Sequence, residues 1–209
     1  MEPFYSTEQW SNWLDRLAAD HFVVMDGFLP QHILDLIETE FNNTVEQGEL
    51  RPAKIGDSFE AKRISEIRSD KIYWLDRNRD AHLTPFFDLI GQVNSAVAQG
   101  LFLSLEGYEF HLAQYPPGAF YKAHLDQFES RSNRMLSLVI YLNKSWEKGD
   151  GGELVIHQPS ELTVEPIYNR AILFRSDTVL HEVLPAVKPR RSLTGWLLKR
   201  PSGVGMLNL

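Results

Sequence analysis

The second half of the chain, from Gly107 onward, consists of short apolar runs separated by turn-forming residues. The runs follow one another at intervals of roughly 8–12 residues, with Gly, Pro and Asn between them. They cover residues 108–115, 120–125, 135–142, 153–157, 162–165, 171–175, 179–184 and 192–198. Runs of this length predict β-strands. Eight strands at this regular spacing favour a β-sandwich or jelly roll over a parallel α/β sheet.

The first half of the chain has the spacing of amphipathic helices instead. Thr7 is predicted as the N-cap of a first helix, and Pro30 as the start of a second. Thr84-Pro85 begins a third helix that ends near Gly100. Helices that precede a series of strands are typical of an α+β fold, in which the helices buttress one sheet.

Two strands and one loop are predicted between these helices. Residues 22–25 form a short apolar run, and residues 67–75 are strand-like. Residues 49–66 are polar, mixed in charge and without a clear period. This stretch is interpreted as a loop, either a mobile loop beside a site or a plain surface connection.

The length of the chain indicates one domain. A chain of 209 residues is long enough for a substantial core, and its hydrophobic content of 43% is ordinary for a globular protein. We therefore expect a single domain over residues 1–209, with mainly helical support in 1–106 and the jelly-roll core in 107–200.

Composition excludes several kinds of site. The chain has no cysteine, which excludes disulfides, thiolate zinc sites, iron–sulfur clusters and cysteine nucleophiles. Any metal must be held by His, Asp, Glu or backbone oxygen. The net charge of −7 argues against a nucleic-acid partner. Because no signal-like N-terminus and no apolar run of about 18 residues occur, we expect a cytoplasmic protein without a membrane partner.

One predicted strand carries the first candidate metal ligands. His124 and Asp126 are two residues apart, so in a strand they project from the same face and reach one point in space. An imidazole and a carboxylate make two thirds of the triad of two histidines and one carboxylate that holds non-haem Fe(II). The pair alone is a weak signal, because His-x-Asp occurs by chance in many chains.

A third ligand must come from a strand far along the chain, because a jelly roll places distant strands side by side. His181 is the best candidate, since it follows a predicted strand and precedes Glu182. The other histidines lack an acidic neighbour two residues on within a strand, and we expect them to be surface or satisfied core residues. They are His21, His32, His82, His111 and His157.

An anchor for a dicarboxylate is predicted nine residues after His181. Alternation along the last strand places Arg190 on the same face as Thr194 and Trp196, and one of the two adjacent arginines, Arg190 or Arg191, must be a solvated surface residue. A guanidinium there can clamp a carboxylate such as that of 2-oxoglutarate, and the Tyr141 phenol can add a hydrogen bond.

These residues stand in an order that resembles the iron and 2-oxoglutarate-dependent oxygenases. The chain is most similar to the prolyl 4-hydroxylase group, in particular to the hypoxia-inducible factor prolyl hydroxylases and their bacterial relatives. The match covers about residues 67–196, and its motifs are specific jointly rather than singly. They are Ile67–Trp74 (IRxDKIxW), Gln114–Gly118 (YPG), Tyr121–Asp126 (YxxHxD), Ile140–Trp146 (YLNxxW), Gly151–Leu154 (GGxL) and His181–Pro185 (HEVxP).

The resemblance implies a double-stranded β-helix fold and a set of residue roles. His124, Asp126 and His181 would bind iron and form the catalytic centre, and Arg190 with Tyr141 would bind the C5 carboxylate of 2-oxoglutarate. The remaining co-substrate pocket would be lined by Tyr115, Val139, Leu154 and Thr194, and the protein substrate would meet Arg68, Asp70, Arg134 and Trp196.

The resemblance also implies an activity. It is hydroxylation of a prolyl residue at the 4-position in a protein, with consumption of O₂ and 2-oxoglutarate, release of succinate and CO₂, and support from ascorbate. The bacterial relatives suggest elongation factor Tu as the substrate. In the family, the stretch corresponding to 49–66 closes over the substrate, but this stretch shows little of the family pattern here.

Three other readings remain open. The same scaffold can hydroxylate a free amino acid or another small metabolite. A nucleic-acid demethylase fits less well, because the chain is acidic and the second downstream arginine of the AlkB-type pattern is not evident after Arg190. A metal-binding sensor module without activity would keep the fold but leaves Arg190 and Tyr141 unexplained. Whether the protein senses oxygen depends on its apparent affinity for O₂.

Overall fold

The computed structural model of the protein describes residues 3–53, 67–127 and 133–199. Most of the predicted loop 49–66 and all of the C-terminal residues from Pro201 to Leu209 lie outside the described residues. Within the described part of that loop, Arg51–Pro52 form a short strand.

The described residues form three α-helices and eleven strands, with one short 3₁₀ helix at Ala81–Leu83. The helices are α1 Thr7–Asp20, α2 Gln31–Glu46 and α3 Thr84–Gly100. The first five strands are β1 Phe22–Met25, β2 Arg51–Pro52, β3 Lys71–Trp74, β4 Leu105–Tyr115 and β5 Tyr121–His124. The others are β6 Arg134–Tyr141, β7 Leu154–Gln158, β8 Leu162–Val164, β9 Ala171–Arg175, β10 Leu180–Val183 and β11 Arg190–Lys199.

Helix α1 begins one residue earlier than its predicted cap. Ser6, and not Thr7, is the N-cap, because the Ser6 hydroxyl accepts a hydrogen bond from the backbone N–H of Gln9 at 3.2 Å. The Gln9 side chain in turn accepts a bond from the Ser6 N–H at 2.9 Å, which completes a capping box. The other two helices begin and end where the sequence predicts, apart from a residue or two.

The eight apolar runs correspond one by one to β4–β11, with ends that differ by a few residues. The predicted strand 67–75 is shorter in the structure, since only Lys71–Trp74 joins the ladder. Arg68 makes an isolated bridge with Tyr121 instead. Backbone hydrogen bonds from the Ser69 N–H to the Phe120 carbonyl and from the Lys122 N–H to the Ile67 carbonyl hold this segment beside β5.

The strands form two antiparallel sheets. One has seven strands in the order β1-β9-β6-β11-β4-β3-β2, and the other has four in the order β5-β10-β7-β8. Strand β6 shows how they are arranged, because its side chains alternate between two clusters. Leu138 and Ile140 pack in the cluster that contains the helices, whereas Val139 and Tyr141 pack with Leu154 and other residues of the small sheet.

The large sheet therefore has an outer face covered by α1, α2 and α3 and an inner face toward the small sheet. Helix α2 contributes Ile33, Leu34, Ile37 and Phe41 to the outer cluster, as its spacing predicts. None of the helices in the described ranges has the length and apolar character that crossing a bilayer requires.

Candidate active site

His124 and His181 are direct partners across the β5–β10 pair of the small sheet. Asp126 follows β5 by two residues, and its carboxylate reaches the same point. Ligand atoms of the three residues all lie within 4.8 Å of one another. The Asp126 Oδ1 is 3.3 Å from Nε2 of His124, and its Oδ2 is 3.8 Å from Nε2 of His181. Strand pairing thus brings together two nitrogens and one carboxylate from residues that lie far apart in the chain.

Backbone carbonyls set the tautomer of both imidazoles. The Nδ1 atom of His124 lies 2.7 Å from the Lys122 carbonyl, and Nδ1 of His181 lies 3.0 Å from that of Val179. A carbonyl oxygen only accepts hydrogen bonds, so Nδ1 donates in each ring and Nε2 keeps its lone pair in the neutral form. Burial lowers the pKa of His181 to about 4, which keeps that ring neutral at physiological pH. Both Nε2 atoms are therefore prepared to bind a metal.

The Asp126 carboxylate is buried and charged. Burial by itself raises its pKa, but His181, His124 and a hydrogen bond from Ser137 together bring the pKa below its ordinary range. The Ser137 hydroxyl donates to Oδ2 at 2.6 Å, and it is 2.8 Å from the hydroxyl of Ser176. No sequence pattern marks these two serines, because a small hydroxyl residue in or beside a strand has many uses.

This set of ligands fits Fe(II). Two neutral imidazoles and one carboxylate on one side of a centre form the facial triad of non-haem iron proteins, which leaves further positions open. Each candidate ligand is also held by a further hydrogen bond, as metal ligands usually are. Backbone carbonyls orient the two histidines, and the Ser137 hydroxyl orients the carboxylate.

Arg190 supplies a buried positive charge in the same cleft. Its Nε donates to the Gly152 carbonyl at 3.1 Å, and its Nη1 donates to the Ser192 hydroxyl at 3.0 Å. Among the residues that the structure describes, no carboxylate pairs with this guanidinium. Gly152 has a φ of +78°, and a Cβ there would lie 3.1 Å from Cγ of Arg190, so a glycine is needed for this close approach.

Tyr141 adds an unpaired hydroxyl next to that charge. The ring is fully buried, with the Arg190 guanidinium carbon 5.0 Å from its centroid. Burial raises the pKa of Tyr141, and the charge of Arg190 opposes part of that rise. The hydroxyl lies near Arg190 but makes no well-formed hydrogen bond within the described ranges. A buried cation without an anion and a buried donor without an acceptor together fit the distal carboxylate of 2-oxoglutarate.

Arg191 is separated from the cleft by the alternation of β11. Its Nη1 donates to Asn42 on α2 at 2.9 Å, and its guanidinium carbon lies 4.9 Å from the centroid of Phe41. Arg190, Ser192 and Thr194 are linked on the inner face instead, with 3.2 Å between the two hydroxyls. Arg190, to which the resemblance gives the anchor role, therefore lines the cleft, whereas Arg191 contacts helix α2.

The cleft contains most of the residues that the sequence analysis singled out. Among its lining residues are the metal triad, Arg190, Tyr115, Val139, Leu154, Thr194, Arg68, Arg134 and Trp196. Two predicted residues lie behind the lining. Tyr141 is beneath Arg190, and Asp70 is 2% exposed and holds the Arg68 guanidinium through two bonds of 2.7 and 2.6 Å. Asp70 therefore positions Arg68 and has no open surface of its own.

Tyr121 and His111 also line the cleft, although neither was assigned a role of its own from the sequence. The Tyr121 ring stacks on His124 with 3.6 Å between centroids, and Arg68 lies over the tyrosine at 4.4 Å. The expectation that His111 is a satisfied core or surface residue is wrong. His111 is buried in the wall of the cleft, and its Nδ1 has no hydrogen-bond partner among the described residues. Its position on the same face as Ala113 and Tyr115 was the available signal.

Comparison with known proteins identifies the family. Residues 110–198 match the model of the 2OG-Fe(II) oxygenase superfamily. The structure is similar to that of a prolyl-4-hydroxylase from Pseudomonas putida, with a TM-score of 0.80 and 37% identity over 92% of this chain and 100% of that one. The chain belongs to the 2OG-Fe(II) oxygenase superfamily.

The chain is also similar to prolyl hydroxylases of two animals. A hypoxia-inducible factor prolyl hydroxylase of Caenorhabditis elegans is 28% identical over 215 residues, which cover 88% of this chain and 29% of that protein. The chain thus spans less than a third of the length of this curated relative. A prolyl hydroxylase from Trichoplax adhaerens, solved with a peptide fragment of the hypoxia-inducible factor oxygen degradation domain, has the same fold, with a TM-score of 0.75, 22% identity and 94% coverage of each chain.

These similarities confirm two expectations. The two sheets form the double-stranded β-helix core of the prolyl hydroxylases, buttressed by helices as predicted. The cofactor prediction of Fe(II) with 2-oxoglutarate as co-substrate is confirmed by the superfamily and by the geometry of the triad.

Proposed function

We propose that the protein hydroxylates a prolyl residue, at the 4-position, in a protein substrate, with elongation factor Tu as a candidate. The observation that carries this proposal is the convergence of two anchors in one cleft. The first anchor is the His124–Asp126–His181 triad, which has the ligands for a metal. The second is the buried Arg190, which has no carboxylate partner among the described residues and lines the same cleft. The similarity over the whole length of the Pseudomonas putida prolyl-4-hydroxylase supports the choice of a prolyl residue.

Each part of the site has a task in this proposal. His124, Asp126 and His181 would hold Fe(II), with Ser137 fixing the carboxylate and two backbone carbonyls fixing the rings. When bound, the iron and 2-oxoglutarate supply the activation of O₂, which ends in succinate, CO₂ and one oxygen atom inserted in a C–H bond.

The chain itself contributes orientation and exclusion of water. Arg190 would clamp the C5 carboxylate, and the Tyr141 hydroxyl would donate to the same group. Tyr115, Val139 and Leu154 surround the co-substrate with buried side chains, so the charged pair forms where water does not screen it.

The substrate would enter beyond the metal, where Arg68, Arg134 and Trp196 line the cleft. Arg68 is held by Asp70, and Arg134 is held by Glu109 at 2.6 Å, so both cations are fixed before substrate arrives. Preorganised side chains reduce the entropy lost on binding. This feature supports an extended substrate over a small metabolite.

The test is a direct assay of product. Purified protein is incubated with Fe(II), ascorbate, 2-oxoglutarate and elongation factor Tu, and in parallel with free amino acids, and all products are analysed by mass spectrometry. We expect a gain of one oxygen atom on a proline, located by fragmentation so that methionine oxidation is not counted. Stoichiometric succinate must accompany it. Hydroxylation of free amino acids alone would support the small-metabolite alternative and contradict the proposal.

If elongation factor Tu is unchanged, the search moves to the proteome. Proteins from cells with active protein and with the Asp126→Ala variant are compared for oxidised proline. A site that depends on the active chain identifies the substrate. The absence of any such site, together with no succinate release, would overturn the proposed function.

A further inference from the structure

Four side chains from neighbouring strands form a continuous stack, which we call the aromatic wall, and three of them line the cleft. The wall consists of Trp74 on β3, His111 on β4, Trp196 on β11 and Arg134 on β6. The centroids of Trp74 and His111 are 4.9 Å apart, those of His111 and Trp196 are 5.4 Å apart, and the Arg134 guanidinium lies 3.3 Å from the Trp196 centroid. His111 is thus the centre of the wall.

The aromatic wall extends away from the co-substrate anchor. Strand register pairs His111 with Thr194, which is four residues from Arg190 along β11, and Trp196 is two residues further. The Arg190 side chain covers much of the distance to Thr194, because its Nη1 is 3.0 Å from the Ser192 hydroxyl, which is 3.2 Å from that of Thr194. From Thr194 the wall continues away from Arg190 through Trp196 to Arg134. This direction favours the second substrate over 2-oxoglutarate as the ligand of the wall, and the KM for 2-oxoglutarate tests that choice.

Two polar atoms of this wall are buried without a partner. They are Nδ1 of His111 and Nε1 of Trp196, which make no hydrogen bond to any part of the chain that the structure describes. Buried polar atoms are nearly always paired, because an unpaired one has lost its water without compensation. Their position in the cleft indicates that the missing partner belongs to a ligand.

The chemistry of the two atoms selects the kind of partner. The indole N–H only donates, whereas a neutral imidazole has one N–H and one lone pair. Burial lowers the pKa of His111 to about 3, so its ring is neutral at physiological pH. Arg134, the nearest cation, is ion-paired with Glu109 at 2.6 Å. The indole therefore needs an acceptor, whereas Nδ1 of His111 needs a donor or an acceptor according to its tautomer. A peptide unit offers a carbonyl and an N–H, so it satisfies both atoms in either case.

Trp74 is the exposed end of the aromatic wall. Its side chain lies against His111 but is 40% exposed, in contrast to the buried Trp196. A half-exposed ring can turn aside without opening the hydrophobic core. The substrate segment can then take the place of Trp74 beside His111.

We propose that His111 is a specificity-determining residue, which together with the Trp196 indole N–H binds a main-chain amide of a polypeptide substrate near its target proline. The inference rests on the proposed function, because it assigns the aromatic wall to the prolyl substrate. It goes further in naming the recognised group, which a free amino acid does not contain.

Three variants separate hydrogen bonding from packing. His111→Phe keeps an aromatic ring in the stack and removes both nitrogens. His111→Asn places an amide atom near the position of Nδ1 and is the conservative rescue. His82→Phe is the matched control, because His82 is a half-exposed histidine paired with Glu40 and is not among the residues that line the cleft.

The probe is a pool of synthetic heptapeptides with a central proline, randomised flanks and blocked ends, tested beside free L-proline. Hydroxyproline formation gives KM and kcat for the pool, and KM for 2-oxoglutarate and the melting temperature are measured on the same samples. We expect His111→Phe to raise the KM for the pool about tenfold, the loss expected for one hydrogen bond. Its kcat and its KM for 2-oxoglutarate stay within about twofold of the wild type. His111→Asn recovers part of the loss, and His82→Phe shows none.

Each other result counts against the inference. An unchanged KM for the pool in His111→Phe overturns it, and so does an equal rise in the KM for 2-oxoglutarate, which indicates a general structural role. Wild-type protein that hydroxylates L-proline but no peptide overturns the recognition of an amide. If the wild type forms hydroxyproline from neither probe but does so in elongation factor Tu or another cellular protein, the recognition of a short main-chain segment is overturned while the proposed function stands. If no protein is hydroxylated either, both fail.

Discussion

The two faces of the seven-stranded sheet have opposite characters, although the same strands form both. On β6, the outer face carries Leu138 and Ile140, which are fully buried against the helices. The residues that alternate with them on β6 face inward and include Ser137, which binds the Asp126 carboxylate, and Tyr141, whose hydroxyl is unpaired. Alternation with a period of two lets one strand stabilise the fold with one side and build a site with the other.

The difference lies in how completely each face satisfies its own side chains. Within the described ranges, five buried side-chain atoms lack a hydrogen-bond partner. Three of them belong to inner-face residues, namely His111, Tyr141 and Trp196, and the other two are on helices. None of these five atoms belongs to a side chain on the outer face of the sheet, whereas the inner face has three unpaired polar groups that ligands can satisfy. Substitutions on the two faces should therefore separate stability from function.

The largest effect is expected at the metal triad on the inner side. Asp126→Ala removes the carboxylate ligand and leaves two neutral nitrogens, which bind Fe(II) weakly. Succinate release that depends on 2-oxoglutarate should fall by about a thousandfold or more. Asp177→Ala, which removes an acid paired with Arg175 at the surface, is the control and should keep its activity. Full activity of Asp126→Ala would contradict the triad.

Next in size is the loss of an outer-face side chain. Leu138→Ala leaves a cavity in the fully buried cluster between the sheet and the helices. The free energy of unfolding in urea should fall by about 3 kcal/mol, within the usual range for such truncations. The affinity of the folded protein for 2-oxoglutarate, measured by calorimetry, should stay within about twofold. A large loss of affinity with little loss of stability would break the division between the faces.

Two adjacent arginines give the sharpest comparison of the faces. Arg190→Ala removes a buried cation from the inner face, and the KM for 2-oxoglutarate should rise about a hundredfold. Arg191→Ala removes a side chain that contacts Asn42 and Phe41 on the outer side, and the same KM should not change. The opposite result for the pair would mean that the register of β11 is shifted by one residue.

The smallest effect concerns pH and a neutral residue of the inner face. Burial lowers the pKa of His111 from 6.5 to about 3 in the folded protein. Between these values the unfolded chain binds one more proton, so stability falls as the pH falls below about 6.5. His111→Phe should remove this contribution, about 1 kcal/mol between pH 7 and pH 5.5. Urea unfolding of both proteins at the two pH values measures it, and equal pH dependences would contradict a buried neutral His111.

Local patterns in the sequence determined the elements and the direction of most side chains. The eight runs after Gly107 gave β4–β11, and the apolar spacing of α2 gave its buried face. Alternation also placed Arg190 and Thr194 on one face, and it put His124 within reach of Asp126. Each of these predictions depends only on residues close together in the sequence, because the repeat of a strand or helix spans two to four residues.

Only the tertiary structure decided which distant residues meet. The register of β10 on β5 brings His181 opposite His124, and the packing of the two sheets brings Ser137 to Asp126. The only sequence signal for His111 is its alternation with Tyr115, and its neighbours Trp74 and Trp196 come from other strands. Register and packing depend on the best fit of the whole core, and so no local pattern contains them.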